Sequence, residues 1–273
     1  MTARTVNDMI KCLHTDSRCY KAAQPSEPIG IVLHSTGANN PNLKRYVQPS
    51  KKDPNRKELL SVLGENKNGN HWNRNVQKSV HYIIGKRADG VVDTAHILPE
   101  DFCAWGVGNG KKGSFNYNPT AHIQIEVCED DLKDKAYFLA CFNEAVLLCA
   151  DICRRYEWDA DDIVSHKEAY KLGYASNHAD IDHWMKVHGY TMNDFRDAVD
   201  LELHPEKVIS VGDTVRFIGT VQYTNSGKLT GKKAKPCEAE VLQIYQLGKA
   251  RHPYLVKGGG VYGWVDEKDI AKR

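Results

Sequence analysis

The stretch SHKEAYKLGYASNHADIDHW, residues 165–184, holds three histidines and two aspartates within twenty residues. His166, His178, His183, Asp180 and Asp182 all carry groups that bind divalent metals, through a neutral imidazole nitrogen or a carboxylate oxygen. Polar residues this dense, around Gly173 and without a sustained helical stripe, read as a functional loop leading into a helix; a solvated surface loop has the same composition. Two positions elsewhere share this chemistry. His34 closes the apolar run IGIVLH (residues 29–34), where a side chain reaches the C-terminal edge of a strand and a cleft begins. Glu126 lies inside HIQIEVCE (122–129), and a carboxylate flanked by isoleucine and valine must be paired, held by a metal or raised in pKa. A hydrolytic zinc typically takes three His or carboxylate ligands and leaves one position for water. His34 plus two residues of 165–184 would meet that count. No HExxH helix fixes two ligands on one face, so spacing alone leaves the choice open, and His34 by itself also fits a hydrogen-bonded core histidine.

The elements that must position these residues alternate between two periods. IGIVLH has the continuous apolar pattern of a strand buried on both faces. SVHYIIGKRADGVVDTA reads as a β-hairpin turned at Ala88, Asp89 and Gly90. HIQIEVCE is a further strand, with His122, Gln124 and Glu126 on one face and Ile123, Ile125 and Val127 on the other. KAYFLACFNEAVLLCADICRRYEW (135–158) carries apolar residues at three and four spacing and predicts a long, largely buried helix. Strands interleaved with helices indicate an α/β body. The polar stretch from Ala38 to Asn75 fits either a binding rim or a tolerated loop. Near LELHPEKVISVGD the pattern changes: YTMNDFRDAVDLEL is helical upstream, while VGDTVRFIGTV, AEVLQIYQL and YGWVDEKDI downstream are short and β-rich. The division expected is residues 1–203 and 204–273, the second fitting a small SH3-like barrel or another small β-fold.

The chain as a whole sets the limits. Its 273 residues, 41% hydrophobic and 26% charged, suit one large domain or a medium and a small one. Eight cysteines make no disulfide scaffold in a chain of this length, and no CxxC pair suggests a cysteine zinc site. No apolar run reaches the roughly 18 residues of a membrane span, and the start MTARTVNDMIKC lacks the apolar core of a signal peptide. Charge is uneven: from Lys207 onward there are 12 Lys and Arg against 6 Asp and Glu, and in the remainder 25 against 29. A basic tail on a slightly acidic body suggests an anionic partner, nucleic acid or a cell-wall polymer, though a lysine-rich solvated module has the same count.

IVLHSTG, HYIIGKRADGVV, the Ala104–Trp105 pair, HIQIEVCE and residues 165–184, in that order, resemble the type-2 N-acetylmuramoyl-L-alanine amidase family. That family is related to peptidoglycan recognition proteins and includes bacteriophage endolysins of Gram-positive hosts. The resemblance covers about residues 25–200. The tail resembles the bacterial SH3-like modules that follow such domains in phage and prophage lysins of clostridia-like bacteria. The resemblance implies a mixed central β-sheet flanked by helices, a small all-β SH3-like barrel after it, and Zn2+ as cofactor. It also implies hydrolysis of the amide between the lactyl group of N-acetylmuramic acid and L-alanine. Peptidoglycan would be the substrate, and an anionic cell-wall polymer the partner of the tail, with no nucleic acid and no membrane insertion. An endolysin of this kind is made in the bacterial cytoplasm without a signal peptide and acts on the cell wall after release.

Carried over residue by residue, the resemblance makes His34 in IVLHSTG the first zinc ligand, His166 in IVSHKEA the second and Asp180 in NHADI the third. Glu126 matches the glutamate of the family's G-I-E-L strand, implying a general base. His178 stands where the family has an oxyanion-stabilising lysine; an imidazole serves there only in the right tautomer or charge, so activity should decline toward alkaline pH. Asp182 and His183 then fall near the start of the next helix without a role in chemistry. The chain departs from the family in three places. Val80 stands where some relatives have a tyrosine, leaving Tyr82 as a weak substitute; Gly106 replaces the histidine of the AWH motif; Ile181 replaces the proline after the third ligand. None of these removes a metal ligand. Two other classes remain to be weighed: a peptidoglycan-binding protein of the same fold without catalysis, and a peptidase using Cys128 or Cys103.

Overall fold

The computed structural model describes residues 9–74, 76–205 and 208–272. The MTARTVND start, Asn75 at the end of the polar insertion and Lys207 at the start of the basic tail lie outside the described residues. The chain divides into two compact units, Met1–Leu203 and His204–Arg273.

In chain order the first unit contains β1 (Ile10–Lys11), α1 (Arg18–Ala22), β2 (Ile31–Ser35), α2 (Arg56–Leu63), β3 (Tyr82–Lys86), β4 (Val92–His96) and β5 (Ile123–Val127). There follow α3 (Lys135–Tyr156), β6 (Ile163–Ser165), α4 (His166–Leu172), α5 (Asp182–Val187) and α6 (Met192–Leu203). The six strands form one sheet in the order β1-β4-β3-β5-β2-β6. The β3–β4 hairpin is its antiparallel pair and the other pairs are parallel, so the sheet is mixed. Gly90, at φ +86°, supplies the positive φ that the hairpin turn requires.

Strand alternation sorts side chains between two cores. Ile31, Leu33, Tyr82, Ile84, Ile123, Ile125 and Val127 point to the face covered by α3 and α6, against Phe138, Cys141, Cys149, Ile152 and Phe195. Helix α3 starts where the Asp134 carboxylate accepts the Tyr137 N–H and ends at Glu157, at φ 58°. Among the described residues α3 is the one helix long and apolar enough to cross a membrane, which the run-length reading had not flagged; its apolar side lies in the core instead. The opposite face is covered by the insertion itself: Leu43, Tyr46, Val47, Leu63 and Trp72 pack on Val80, Ile83, Ala95 and Cys128. The insertion is therefore a second layer of the fold, holding a 3-10 turn and α2, and its polar composition belongs to its outer side. All seven cysteines of this unit are free and buried.

Two buried histidines give this core a pH dependence. The Gln124 N–H donates to His81 Nδ1 at 2.8 Å, so the His81 proton sits on Nε2 and is donated to the Phe102 carbonyl at 2.9 Å. Burial pushes His81 down to about 4 and His14 down to about 3. The unfolded chain takes up these protons below about pH 6.5, and the folded chain refuses them until far lower. Each histidine should therefore remove stability at up to about 1.4 kcal/mol per pH unit as pH falls from about 6.5 toward 4. Urea midpoints measured between pH 7.5 and 4.5 test this, and a midpoint unchanged down to about pH 5 would exclude it.

The second unit contains β7 (Thr214–Phe217), β8 (Val221–Gln222), β9 (Lys232–Lys233), β10 (Cys237–Ile244), β11 (Tyr254–Gly258), β12 (Tyr262–Val265) and β13 (Ile270–Lys272). Five of these form an antiparallel sheet in the order β12-β11-β10-β7-β13, and β8 pairs with β9. Val215, Phe217, Val241, Val256, Val265 and Ile270 fill its own core. The tail aromatics divide by strand alternation. Tyr254 enters the core, Tyr223 stacks on the buried His252 ring, Trp264 meets Tyr245 edge-on, and Tyr262 is 66% exposed.

Candidate active site

β2 and β5 run side by side in parallel register, with His34 opposite Glu126 near their C-terminal ends. Both side chains point away from the α3 core, as alternation requires, and both are buried. β6 flanks β2 on its other side, and its last residue, Ser165, caps α4. The Ser165 hydroxyl accepts the Glu168 N–H at 3.1 Å, and the Glu168 carboxylate accepts the Ser165 N–H at 3.0 Å. Arg196 from α6 clasps the same carboxylate with two bonds of 3.0 Å. His166 is thereby fixed as the first residue of a helix at the sheet edge beside His34. Residues 166–172 are helical where the polar composition had suggested loop; the S-x-x-E spacing from Ser165 to Glu168 is the signal that identifies the helix start. Gly173, at φ +97°, ends α4, and Ser176 ties the returning chain to the Val107 carbonyl at 2.8 Å before it reaches Asp180.

Three donor atoms converge from these three loci. His34 Nδ1 and His166 Nδ1 lie 3.0 Å apart, and Asp180 Oδ2 is 3.4 Å from each. Two imidazole nitrogens at that distance can share at most one proton, so in the metal-free chain at least one lone pair faces the other ring and the carboxylate. Burial pushes Asp180 up, but the neighbouring His166 and His34 rings outweigh it and hold the carboxyl well below the usual carboxylate range. Burial lowers His34, against the pull of Asp180. Two imidazole nitrogens and a carboxylate oxygen, all within 4.8 Å of one another, make a donor set that fits a divalent metal ion.

Glu126 stands beside this triad. Burial raises its carboxyl well above the ordinary value, the Asp180 charge adds to that, and the Lys78 ammonium opposes it. A cation held by the triad would also oppose it, favouring the ionised form. His178 borders the triad on the solvent side: its ring stacks on His166 at 4.7 Å and its Nδ1 lies 3.6 Å from Asp180 Oδ1. Around them is an open cleft of about 160 Å3, also lined by Ser35, Thr36, Trp72, Lys78, Val80 and Gly106.

His183 and Asp182 stay outside the triad. His183 Nε2 reaches Glu129 Oε1 at 3.0 Å, and Glu129 in turn accepts the Ser35 hydroxyl, bracing the end of β2. Asp182 lies in the first turn of α5, with Lys167 Nζ 4.0 Å away. Tyr82 is corrected as a substitute for the missing tyrosine: it faces the α3 core and its hydroxyl donates to Glu100 at 2.7 Å, because the chain bends between Val80 and β3. Lys78 and Trp72, with Lys78 Nζ 5.3 Å from the Trp72 ring, were not legible as site residues; their neighbours in sequence carry no motif. Cys128 and Cys103 lie outside the cleft lining, and burial raises both thiols, which opposes a thiolate nucleophile.

A family described as N-acetylmuramoyl-L-alanine amidase matches residues 24–182. Among solved structures, the chain is similar to the Staphylococcus aureus hydrolase AmiA in complex with its ligand. Identity is 17% and the TM-score 0.47, over 75% of this chain and 85% of that one. It is also similar to a mutant endolysin from Bacillus subtilis, at 15% identity and TM-score 0.44 over 70% of this chain and 98% of that one. PlyL matches at 15% identity and TM-score 0.44, over 70% and 96% of the two chains. No curated protein matches the chain.

Proposed function

The chain belongs to the N-acetylmuramoyl-L-alanine amidase family, an enzyme family acting on peptidoglycan, and on that footing we propose a zinc-dependent type-2 amidase with His34, His166 and Asp180 as the metal ligands. Its bond is the amide between the lactyl group of N-acetylmuramic acid and L-alanine, and its setting is wall lysis as a phage or prophage endolysin. The observation that carries this reading is the convergence of three donor atoms from three separate loci beside a buried glutamate.

Zinc held there supplies a Lewis acid that polarises a carbonyl and makes water a nucleophile near neutral pH. Glu126 takes the proton from the attacking water and passes it to the leaving amine, whose departure as an anion is otherwise the difficult step. The Lys78 ammonium opposes the burial and the Asp180 charge that favour the protonated Glu126 carboxyl, and so assists the first of these transfers. His178, on the open side of the triad, donates a hydrogen bond to the oxyanion that develops on the scissile carbonyl. Trp72 offers an apolar wall to the substrate.

Purified peptidoglycan digested by the protein and analysed by mass spectrometry tests the assignment. Free L-alanine amines are expected, abolished by EDTA, restored by zinc and indifferent to thiol alkylation; new reducing sugar ends instead would refute it.

The second unit serves as an SH3-like wall-binding module for an anionic cell-wall polymer, supported by its basic excess and by Tyr262 lying exposed beneath Lys257. Tethering raises the enzyme's concentration at its substrate without altering the chemistry. A chain ending at Leu203 keeps its own core and should hydrolyse small soluble muropeptides at the rate of the full chain, while binding purified walls at least about tenfold more weakly. Equal co-sedimentation of both chains with walls would remove the tethering role.

A further inference from the structure

The second unit carries an open groove of about 810 Å3 whose walls come from two separate parts of its chain. One wall is the β8–β9 ribbon, with Gln222, Lys233 and Lys235; the other is the turn from β11 into β12, with Gly259, Val261 and Tyr262. The walls are fastened to each other. The Lys235 N–H donates to the Gly260 carbonyl at 2.9 Å, the Tyr262 N–H donates to Gln222 Oε1 at 2.6 Å, and Tyr223 and Trp264 exchange two backbone bonds of 2.8 Å. A groove braced in this way is formed before any ligand arrives, and its volume lies in the range of ligand-binding clefts.

Its charge is one-sided. Lys233 and Lys235, both exposed, line it, and no carboxylate does among the described residues. Asp213 pairs instead with Lys272 at 3.0 Å, and Asp266 with His252. Lys257 lies outside the lining, 5.6 Å from the Tyr262 ring and with Glu240 as its cross-strand neighbour, so the two lysines of the ribbon carry the charge of the groove. The three glycines at 258–260 differ in what holds them. A Cβ on Gly258 would lie 2.2 Å from the Glu238 carbonyl oxygen and one on Gly260 2.5 Å from the Lys235 carbonyl oxygen, so packing demands both. A Cβ on Gly259 would meet nothing, and its φ is not left-handed. Neither packing nor backbone conformation asks for glycine there; it leaves bare main chain along the groove, as where a ligand passes closely.

We propose that this groove is where the second unit binds the wall, and that its occupant is a polyol or sugar chain linked by phosphodiesters: Lys233 and Lys235 engage the phosphates, and the chain runs over the bare backbone at Gly259 to lay a polyol or sugar unit against Tyr262. A lysine ammonium is a compact point charge that suits a tetrahedral phosphate, whereas a planar carboxylate favours the arginine fork, and no arginine lines the groove. The tyrosine ring adds an apolar face with a polar tip, which matches the mixed surface of a sugar or polyol. This inference rests on the wall-binding reading of the second unit above.

Binding of the full chain to fluorescently labelled poly(glycerol phosphate) at about 0.15 M salt tests it. Lys233→Glu and Lys235→Glu should each weaken binding about tenfold or more, since each turns a charge-assisted contact into a repulsion. Gly259→Leu, which fills the groove without changing its charge, should weaken it to a similar extent. Lys249→Glu, the same reversal at an exposed lysine outside the lining, should stay within about twofold of the parent. Equal losses for Lys249→Glu and Lys235→Glu would mean that net charge alone draws the polymer and would overturn the groove, as would parental binding by the lysine and leucine variants. Tighter binding of single-stranded DNA or of polyglutamate than of poly(glycerol phosphate) overturns the occupant. If Gly259→Leu does not fold, the two lysine variants, both at exposed positions, decide. If the full chain and the chain ending at Leu203 co-sediment equally with walls, the wall-binding reading itself fails; if walls are bound through the second unit and poly(glycerol phosphate) is not, that reading stands and this inference falls.

Discussion

Asp180→Ala is expected to leave a folded protein that no longer holds zinc and hydrolyses muropeptides at least about 10^3-fold more slowly. Asp180 is the one anion of the triad. Its carboxyl is held well below the ordinary range by His166 and His34, so at neutral pH it already presents a charged oxygen where a cation would sit. Without it, two imidazole nitrogens remain 3.0 Å apart in a buried place, with nothing to balance a divalent charge. The loss to the fold is small by comparison, because the contact of Asp180 with the Ser35 N–H is long, at 3.4 Å. Asp180→Cys should recover metal, since a thiolate is also a good zinc ligand. Metal content by atomic emission and turnover on a soluble muropeptide, measured on the same preparations, check both variants. An alanine variant that kept one zinc per chain and full turnover would remove Asp180 from the site.

How much of this was legible from residues alone follows the range of the forces involved. β2, the hairpin of β3 and β4, β5 and α3 are written in local periodicity, because each buries one face or both and must place apolar residues at a period of two or 3.6. The same alternation put Glu126 on the face opposite Ile125 and Val127, but it took the pairing of β2 with β5 to bring His34 beside it. Choosing among the five candidates at 165–184 was different. His178 and His183 lie five residues apart with identical side chains, and only the return of the chain past Val107 sends one to His166 and the other to Glu129. Spacing does not encode that return. The insertion misled for a related reason: its polar residues outnumber the few, such as Leu43, Val47 and Trp72, that hold it on the sheet. Gly106 stood out as a departure from the family, and Gln124 only as sharing a strand face with Glu126. Their relation is a steric one between residues 18 apart in sequence, since a Cβ on Gly106 would lie 2.0 Å from Gln124 Oε1.

Glu126→Gln separates chemistry from metal binding and should show the sharpest contrast between function and stability. Zinc affinity should remain within a few-fold of the parent, because Glu126 is not among the three converging ligands. Turnover should fall about 10^2- to 10^4-fold, the usual contribution of a positioned general base. Stability of the metal-free chain should move the other way. The folded-state pKa of Glu126 lies well above its unfolded value, so the folded chain holds this proton where the unfolded chain releases it. Stability from that proton is present at acid pH and is lost as pH rises through the folded pKa. Glutamine cannot ionise, so its advantage over the parent should be small near about pH 4.5 and grow toward neutrality. Binding zinc should narrow the difference, since a nearby cation favours the carboxylate. In the pH–rate profile of the zinc-loaded parent, an alkaline limb flat to about pH 9 would exclude a cationic role for His178. A glutamine variant that digests walls at the parental rate would mean that the proton is carried by another group of the cleft.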